Sequence, residues 1–83
     1  MPARTIADPF AQQIGIRLRD LRLEQGKSLA AMEVASGVSK GHLSDIERGR
    51  VLVNIATLRS IAQGLGMQLV ELLAGVEDAL SGE

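Results

Sequence analysis

Apolar residues recur at spacings of three and four along most of the chain, and no segment alternates apolar and polar residues with a period of two. The first spacing is that of one face of an α-helix, whereas alternation would indicate a half-buried strand. The pattern therefore predicts an all-α protein, a compact bundle of five short helices without a sheet. Including the capping residues of the second, third and fourth helices, the predicted helices cover about 9–25, 28–36, 39–48, 54–65 and 68–80.

Capping residues stand at the predicted helix starts. Asp8 precedes Pro9 at the first helix, and Ser28, Ser39 and Asn54 precede the next three. Such side chains accept hydrogen bonds from first-turn N–H groups, and proline fits the first helical position. The glycines are spaced as helix stops or turns, which predicts left-handed backbone after each helix, at Gly26, Gly37, Gly49 and Gly66.

The apolar faces of the five helices are expected to meet in one core. Residues 8–80 then form a single domain, preceded by a flexible arm (1–7) and followed by a short tail (81–83). The predicted core residues are Phe10, Ile14, Leu18 and Leu21 in the first helix, Leu29 or Ala30 with Met32 and Ala35 in the second, Leu43 and Ile46 in the third, Ile55, Leu58, Ile61 and Ala62 in the fourth, and Leu69, Leu72, Leu73, Val76 and Leu80 in the fifth.

Composition narrows the function further. A chain of 83 residues supports one marginal core, so a homodimer is expected. The chain has no cysteine and one histidine, which excludes disulfides, thiolate nucleophiles and multi-histidine zinc sites. No cofactor or small-molecule ligand is evident. No apolar run is long enough to span a membrane and the N-terminus lacks a signal-peptide pattern, so we expect a cytoplasmic, nucleoid-associated protein of bacterial or phage type.

The net charge of −1 argues mildly against nucleic-acid binding, but the charges are unevenly distributed. Seven of the nine basic residues lie between Arg17 and Arg50, together with five acids. The last seventeen residues hold four acids and no base. A mildly basic central segment is thus followed by an acidic one, so the net charge does not exclude an anionic ligand at the central segment.

The second and third predicted helices form a helix-turn-helix unit over residues 28–48. Gly37 allows the tight turn between them, and Val38 fills the space between the helices. Ser39 lets the third helix begin abruptly, without large apolar groups in its first turn. Positions on the outer side of that helix can face a DNA major groove, and they carry Lys40, Gly41, His42, Ser44 and Asp45.

Four segments, taken in their order and spacing, carry a family resemblance. They are IGIRLRDLR, GKSL, SGVSKGHLSDIERG and LRSIAQGLG, within residues 14–73. The chain resembles the lambda-repressor-like helix-turn-helix family, also described as XRE or phage-repressor type. The resemblance implies four or five helices, with the second and third reading double-stranded DNA.

The resemblance also implies roles for individual residues. Arg22 should pair with Glu47 and tie the third helix to the core. Base edges would be read from Lys40, Gly41, His42 and Asp45, since Lys can donate to guanine and Asp can accept from a cytosine amino group; Ser44 is a further candidate because of its outward position. Phosphates would be contacted by Lys27, Ser28, Ser39, Arg48 and Arg50. The resemblance thus implies a repressor or activator that binds a pseudo-palindromic operator as a dimer.

Four departures from the family pattern favour a different function. Leu29 replaces a polar residue, Glu33 replaces a small one and must turn outward or find a cation such as Arg50, and Gly41 contributes no side chain to a groove. Residues 51–53 replace a polar, basic loop with Val-Leu-Val. These changes weaken the expectation of DNA binding but not that of the fold.

Two functions therefore remain open from the sequence. The first is a dimeric DNA-binding transcriptional regulator, and the second is a protein-binding module, an anti-activator or adaptor, that has kept the fold. An enzyme is not expected, because the lone His42 has no nucleophile and acid beside it. Asp45 is equally open to a local cap or a pair with Arg48 or His42. The expected dimer or partner surface comprises Val51, Leu52, Val53, Leu69, Leu73, Val76 and Leu80, although residues 51–53 could instead pack within their own chain.

Overall fold

The computed structural model describes the backbone of residues 8–81 and the side chains of residues 8–76. This part of the chain holds five α-helices and no strand: α1 (Pro9–Glu24), α2 (Leu29–Ser36), α3 (Lys40–Glu47), α4 (Ile55–Gly64) and α5 (Leu69–Ser81). The prediction of an all-α, five-helix fold is confirmed, with boundaries within about two residues. The predicted arm and residues 82–83 of the predicted tail lie outside the described residues, whereas Ser81 still belongs to α5.

The four predicted N-caps are present because each side-chain oxygen finds a backbone N–H in the first turn. Asp8 accepts from Phe10 at 2.8 Å, Ser28 from Ala31 at 3.0 Å, Ser39 from His42 at 3.2 Å and Asn54 from Thr57 at 2.8 Å. The predicted left-handed glycines also occur, with φ between +67° and +78° at Gly26, Gly37, Gly49 and Gly66. Local chemistry thus fixes where the helices begin and end.

The helices surround one core. α1 packs against α3 and α5, α2 against α3 and α4, and α4 against α5. The core lies between these contacts and consists of Ile14, Leu18, Leu21, Met32, Val38, Leu43, Ile46, Leu58, Ile61, Ala62, Leu65, Leu72 and Val76.

Several residues predicted for the core lie at the surface instead. Phe10 is 42% exposed and Ile55 is 61% exposed, because each stands in the first turn of its helix, beyond the end of the packed region. In α2, Ala30 and Ala35 are exposed and Leu29 is the residue that packs against the core. The prediction for Ala35 was wrong because α2 is apolar on nearly every side, so the sequence pattern does not select its inner face.

Some glycines lie inside helices, which corrects the expectation that the glycines are spaced as stops and turns. Gly15 of α1 lies against the last turn of α3. A β-carbon placed there would meet the carbonyl oxygens of Ile46 at 2.5 Å and Glu47 at 2.6 Å. The missing side chain therefore allows the α1 and α3 backbones to approach this closely.

A second glycine contact joins α1 to α5. Arg17 donates from Nε to the carbonyl oxygen of Leu72 and from Nη2 to that of Glu71, both at 3.2 Å. Its guanidinium lies over Gly75, where a β-carbon would be 2.5 Å from Nε. Arg17 and Gly75 thus fix α5 against α1, a contact that the sequence pattern did not indicate.

Among the described helices, none has both the length and the apolar character that a membrane crossing requires.

Candidate nucleic-acid interface

The turn between α2 and α3 is held by backbone geometry and one serine. Gly37 has a φ of +78°, and its N–H donates to the carbonyl of Glu33 at 2.8 Å. The Ser36 hydroxyl donates to the carbonyl of Met32 at 2.7 Å and accepts from the N–H of Val38 at 3.1 Å. Val38 is buried between the helices, as predicted. The turn therefore sets one relative orientation of α2 and α3.

One side of α3 faces the core and the other faces solvent. Leu43 and Ile46 are 3% and 1% exposed. The solvent side carries the five residues predicted to read bases, and we call it the reading face. Three of them are exposed and two are half-buried: Lys40, Gly41 and His42, then Ser44 and Asp45. This side of α3 is therefore accessible to a large ligand, most of all in its first turn.

Two serines at helix starts frame this unit. The Oγ atoms of Ser28 and Ser39 accept backbone N–H groups at the starts of α2 and α3. A hydroxyl that accepts in this way keeps its own proton for donation. Both serines are exposed, so each offers an O–H donor beside a helix N-terminus, where anions are favoured.

The cations around the unit differ in their contacts. The Lys27 ammonium donates to the side chain of Gln25 at 2.8 Å. Arg48 is exposed, and no ion pair with it occurs among the described residues. Arg50 lies 3.6 Å from Asp45, between Nη1 and Oδ1. Asp45 thus pairs with Arg50 rather than with Arg48 or His42.

Three departures from the family pattern are accommodated without disturbing the fold. Glu33 is exposed, so its carboxylate turns outward, and Arg50, considered as its partner, pairs with Asp45 instead. Leu29 packs against the core and offers no polar group. Gly41 leaves open space, since a β-carbon there would meet no atom within 4 Å.

A nearly buried ion pair anchors the C-terminal end of α3. Arg22 donates from Nε and Nη2 to the two carboxylate oxygens of Glu47, at 2.7 and 3.0 Å. The side chains are 10% and 7% exposed. Arg22 also donates from Nη1 to the carbonyl of Lys27 at 2.8 Å, next to the start of α2. The hydrogen bonds that Arg22 donates to Glu47 raise the pKa of Arg22, although burial acts in the opposite direction. One arginine thus links α1, the entry to α2 and the end of α3.

The residues after α3 are fixed as well. The N–H of Gly49 donates to the carbonyl of Ile46, and the N–H of Arg50 donates to the carbonyl of Asp45, both at 3.0 Å. This pair of bonds around a left-handed glycine is a Schellman motif. Gly49 is buried against Gln12 of α1, with 3.1 Å between that side chain and the position of an added β-carbon. The backbone of Arg50 is therefore held in a defined place beside the reading face.

The expected dimer or partner surface is only partly exposed. Val51 and Val53 pack against their own core, while Leu52 between them is 58% exposed. Val76 is 1% exposed and belongs to the core, so its inclusion in that surface was wrong. It turns inward because its side of α5 faces the other helices. The side chain of Leu80 lies outside the described residues.

The N-terminal turn of α1 and α5 enclose a mostly apolar groove of about 620 Å³. Leu69 and Leu73 are half-buried there, and Val70 is 67% exposed. The groove residues are Phe10, Gln68, Leu69, Val70, Leu73 and Ala74. An exposed apolar concavity of this kind is typical of a protein contact.

The geometry agrees with comparisons to known proteins. A family model described as a helix-turn-helix domain matches residues 13–74. The HTH-type transcriptional regulator DdrOP3 of Deinococcus deserti is 44% identical over 61 residues, covering 74% of this chain and 47% of that protein. The uncharacterized HTH-type transcriptional regulator y4dJ of Sinorhizobium fredii is 36% identical over 69 residues, covering 83% and 90%. The chain thus spans about half of the first relative and most of the second.

A solved structure shows the same arrangement of helices. The crystal structure of the clp gene regulator ClgR from Corynebacterium glutamicum has a TM-score of 0.80 at 31% identity, covering 89% of this chain and 96% of that chain. The lambda-repressor-like resemblance seen in the sequence is confirmed by the family match and by the fold. The chain belongs to the helix-turn-helix family of lambda-repressor-like, XRE-type transcriptional regulators.

Proposed function

We propose that the protein binds double-stranded DNA sequence-specifically as a homodimer and regulates transcription, with α3 in the major groove. The observation that carries this proposal is the reading face, a solvent-exposed helix side held rigidly by a capped turn and a buried ion pair. Relatives named as transcriptional regulators support the same function and a non-enzymatic role. Such a regulator would work in the cytoplasm, on the nucleoid.

The proposed contacts divide into two kinds. Phosphate contacts position a protein on DNA, and base contacts select the sequence. Lys27, Arg48 and Arg50 supply positive charge, and the hydroxyls of Ser28 and Ser39 supply donors at helix starts. The reading face supplies the base contacts, through Lys40, His42, Ser44 and Asp45, while Gly41 allows close approach.

Lys40→Ala is expected to weaken operator binding about tenfold, or roughly 1.4 kcal/mol, because it removes an exposed cation in the first turn of α3. The melting temperature should stay close to that of the wild type, since Lys40 is exposed. Binding by fluorescence anisotropy and thermal unfolding would be measured together. The matched control is Arg59→Ala, which removes one exposed charge from α4. Equal loss of affinity in both variants would contradict a specific role for Lys40.

The experiment that tests the function is selection from random duplex DNA by the purified protein at about physiological salt. An enriched pseudo-palindrome with half-sites roughly 34–36 Å apart, one helical turn, is the expected result. No enrichment by a folded protein would contradict the proposal.

The proposed dimer uses the groove between Phe10 and α5. Val70→Glu should weaken self-association at least tenfold, because it places a carboxylate on an exposed apolar contact. Sedimentation would be compared with Val34→Glu, the same substitution on α2, where Val34 is 87% exposed and lies outside the groove. A wild-type protein that remains monomeric at tens of micromolar, or equal effects of both variants, would contradict this interface.

The exposed apolar residues after α3 favour the second candidate function, a protein-binding module. Leu52, in the segment 51–53 that departs from the family pattern, is 58% exposed, and Ile55, the first residue of α4, is 61% exposed. An anti-activator or adaptor would bind its protein partner there or at α5. Salt separates the two functions, because counterion release makes DNA binding fall steeply with salt, whereas an apolar protein contact does not weaken in this way.

A further inference from the structure

Asp45, an acidic residue on the reading face, contacts Arg50, a basic residue that follows α3. The helix has two acids, and Glu47 is bound to Arg22. Asp45 is the other, and its carboxylate lies 3.6 Å from the guanidinium of Arg50. The two side chains are 45% and 58% exposed, so both remain within reach of a ligand that approaches α3.

The backbone arranges this pair in advance. The N–H of Arg50 donates to the carbonyl of Asp45 itself, and Gly49 between α3 and Arg50 is buried against α1. The two residues are therefore held side by side before any ligand binds. On the N-terminal side of Asp45, one turn earlier, Gly41 leaves open space. The carboxylate is thus accessible to a base edge on one side and adjacent to a guanidinium on the other.

Random and specific DNA make different demands on this pair. A phosphate that draws Arg50 away leaves the Asp45 carboxylate unpaired near a polyanion, which is unfavourable. A cytosine in the major groove presents an amino donor that a carboxylate can accept. A thymine at the same place presents a carbonyl oxygen, which would face the carboxylate as a second acceptor.

We propose that Asp45 and Arg50 form a specificity latch, closed on random DNA and opened where a cytosine amino group takes over Asp45 and frees Arg50 for a phosphate. The latch rests on the proposed function, since it needs α3 in the major groove. Asp45 then lowers affinity for random DNA and contributes to discrimination between sequences. Its function is to select the site rather than to strengthen binding overall.

The test is a double-mutant cycle of Asp45→Asn and Arg50→Gln, with binding measured to a random-sequence duplex and to the selected operator at several salt concentrations. Asp45→Asn should tighten binding to the random duplex about threefold or more. For this variant, the slope of log K against the logarithm of salt concentration should steepen by about one, because the freed Arg50 neutralises one further phosphate. In the Arg50→Gln background the same substitution should leave the slope unchanged. Asp45→Asn in the wild-type background should not raise the affinity for the operator, and it should abolish the preference for cytosine.

The control for net charge is Asp20→Asn, an identical chemical change on the exposed side of α1. Equal tightening by Asp20→Asn, or an equal change of slope with and without Arg50, would overturn the latch while leaving DNA binding intact. Unfolding curves for all variants keep a change of fold separate from a change of specificity. A folded wild-type protein that binds no duplex at low salt would overturn the latch and the proposed function together.

Discussion

Gly15→Ala should lower the free energy of unfolding by about 3 kcal/mol, at the upper end of what overpacking costs. The added methyl would stand 2.5 Å from the carbonyl oxygen of Ile46 and 2.6 Å from that of Glu47. Both obstacles are backbone atoms in the last turn of α3, so no side chain can rotate away. The substitution therefore has to separate α1 from α3, and with them the core between the two helices.

Helix propensity acts in the opposite direction and is too small to compensate. Alanine is favoured over glycine in a helix interior by roughly 1 kcal/mol. The matched control is Gly41→Ala, since Gly41 is also helical but exposed, with no atom within 4 Å of an added β-carbon. That variant should be more stable than the wild type by about 0.5–1 kcal/mol.

Urea unfolding followed by circular dichroism would measure both variants. For a domain of this size, 3 kcal/mol corresponds to a fall in Tm of roughly 12 °C or more. Opposite signs for Gly15→Ala and Gly41→Ala are the expected result. If Gly15→Ala unfolds at the wild-type midpoint, the close approach of α1 and α3 does not determine stability.

The contrast between these two glycines shows what the sequence does and does not predict. Caps such as Ser28 and Asn54 are visible in the sequence because their partners lie within three residues. The role of Gly15 depends on carbonyl groups about thirty residues away, and the local difference is that Gly15 lies between Ile14 and Ile16 whereas Gly41 lies between Lys40 and His42. A glycine flanked by apolar residues on an otherwise regular helical stripe is the available signal, and it does not name the contact.

The sequence also predicts buried and exposed helix faces only where local periodicity determines them. The core positions Ile14 and Leu18 in α1 follow from an amphipathic pattern. The pattern fails at Phe10, because periodicity does not show where along a helix the packed region ends. It also left Val76 assigned both to the core and to a partner surface, because the inner side of an apolar helix is set by the helices packed against it.

For the candidate site, the sequence predicted which side of α3 faces solvent but not the side-chain contacts around it. Lys40, Gly41 and His42 are exposed as expected, and Ser28 and Ser39 cap α2 and α3 as the local sequence predicted. The pairing of Asp45 with Arg50 was not foreseen, because it depends on the Schellman turn that brings the residue after Gly49 back toward α3. Arg17 was missed for a similar reason, since the carbonyls it binds lie on α5, more than fifty residues away.

Glu47→Ala is expected to destabilise the protein by about 3 kcal/mol, because it leaves the Arg22 guanidinium nearly buried without its carboxylate. Arg22 is 8% exposed, and its remaining partner is the carbonyl of Lys27. The cost comes mainly from the stranded charge, since a carbonyl does not neutralise a guanidinium. The end of α3 would lose its ion pair with α1 at the same time, while the backbone contact at Gly15 remains.

The variant Arg22→Met with Glu47→Leu separates the stranded charge from the loss of packing. Replacing a buried ion pair by apolar residues is often neutral or stabilising, so the double variant should be more stable than either single variant. Asp45→Asn is the exposed counterpart and should cost less than about 1 kcal/mol, as is usual for surface pairs. Free energies of unfolding at low and high salt would complete the cycle. The Arg22–Glu47 coupling energy should persist at high salt, because salt screens a nearly buried pair only weakly. If the coupling energy disappears at high salt, solvent reaches the pair and apolar packing alone anchors α3.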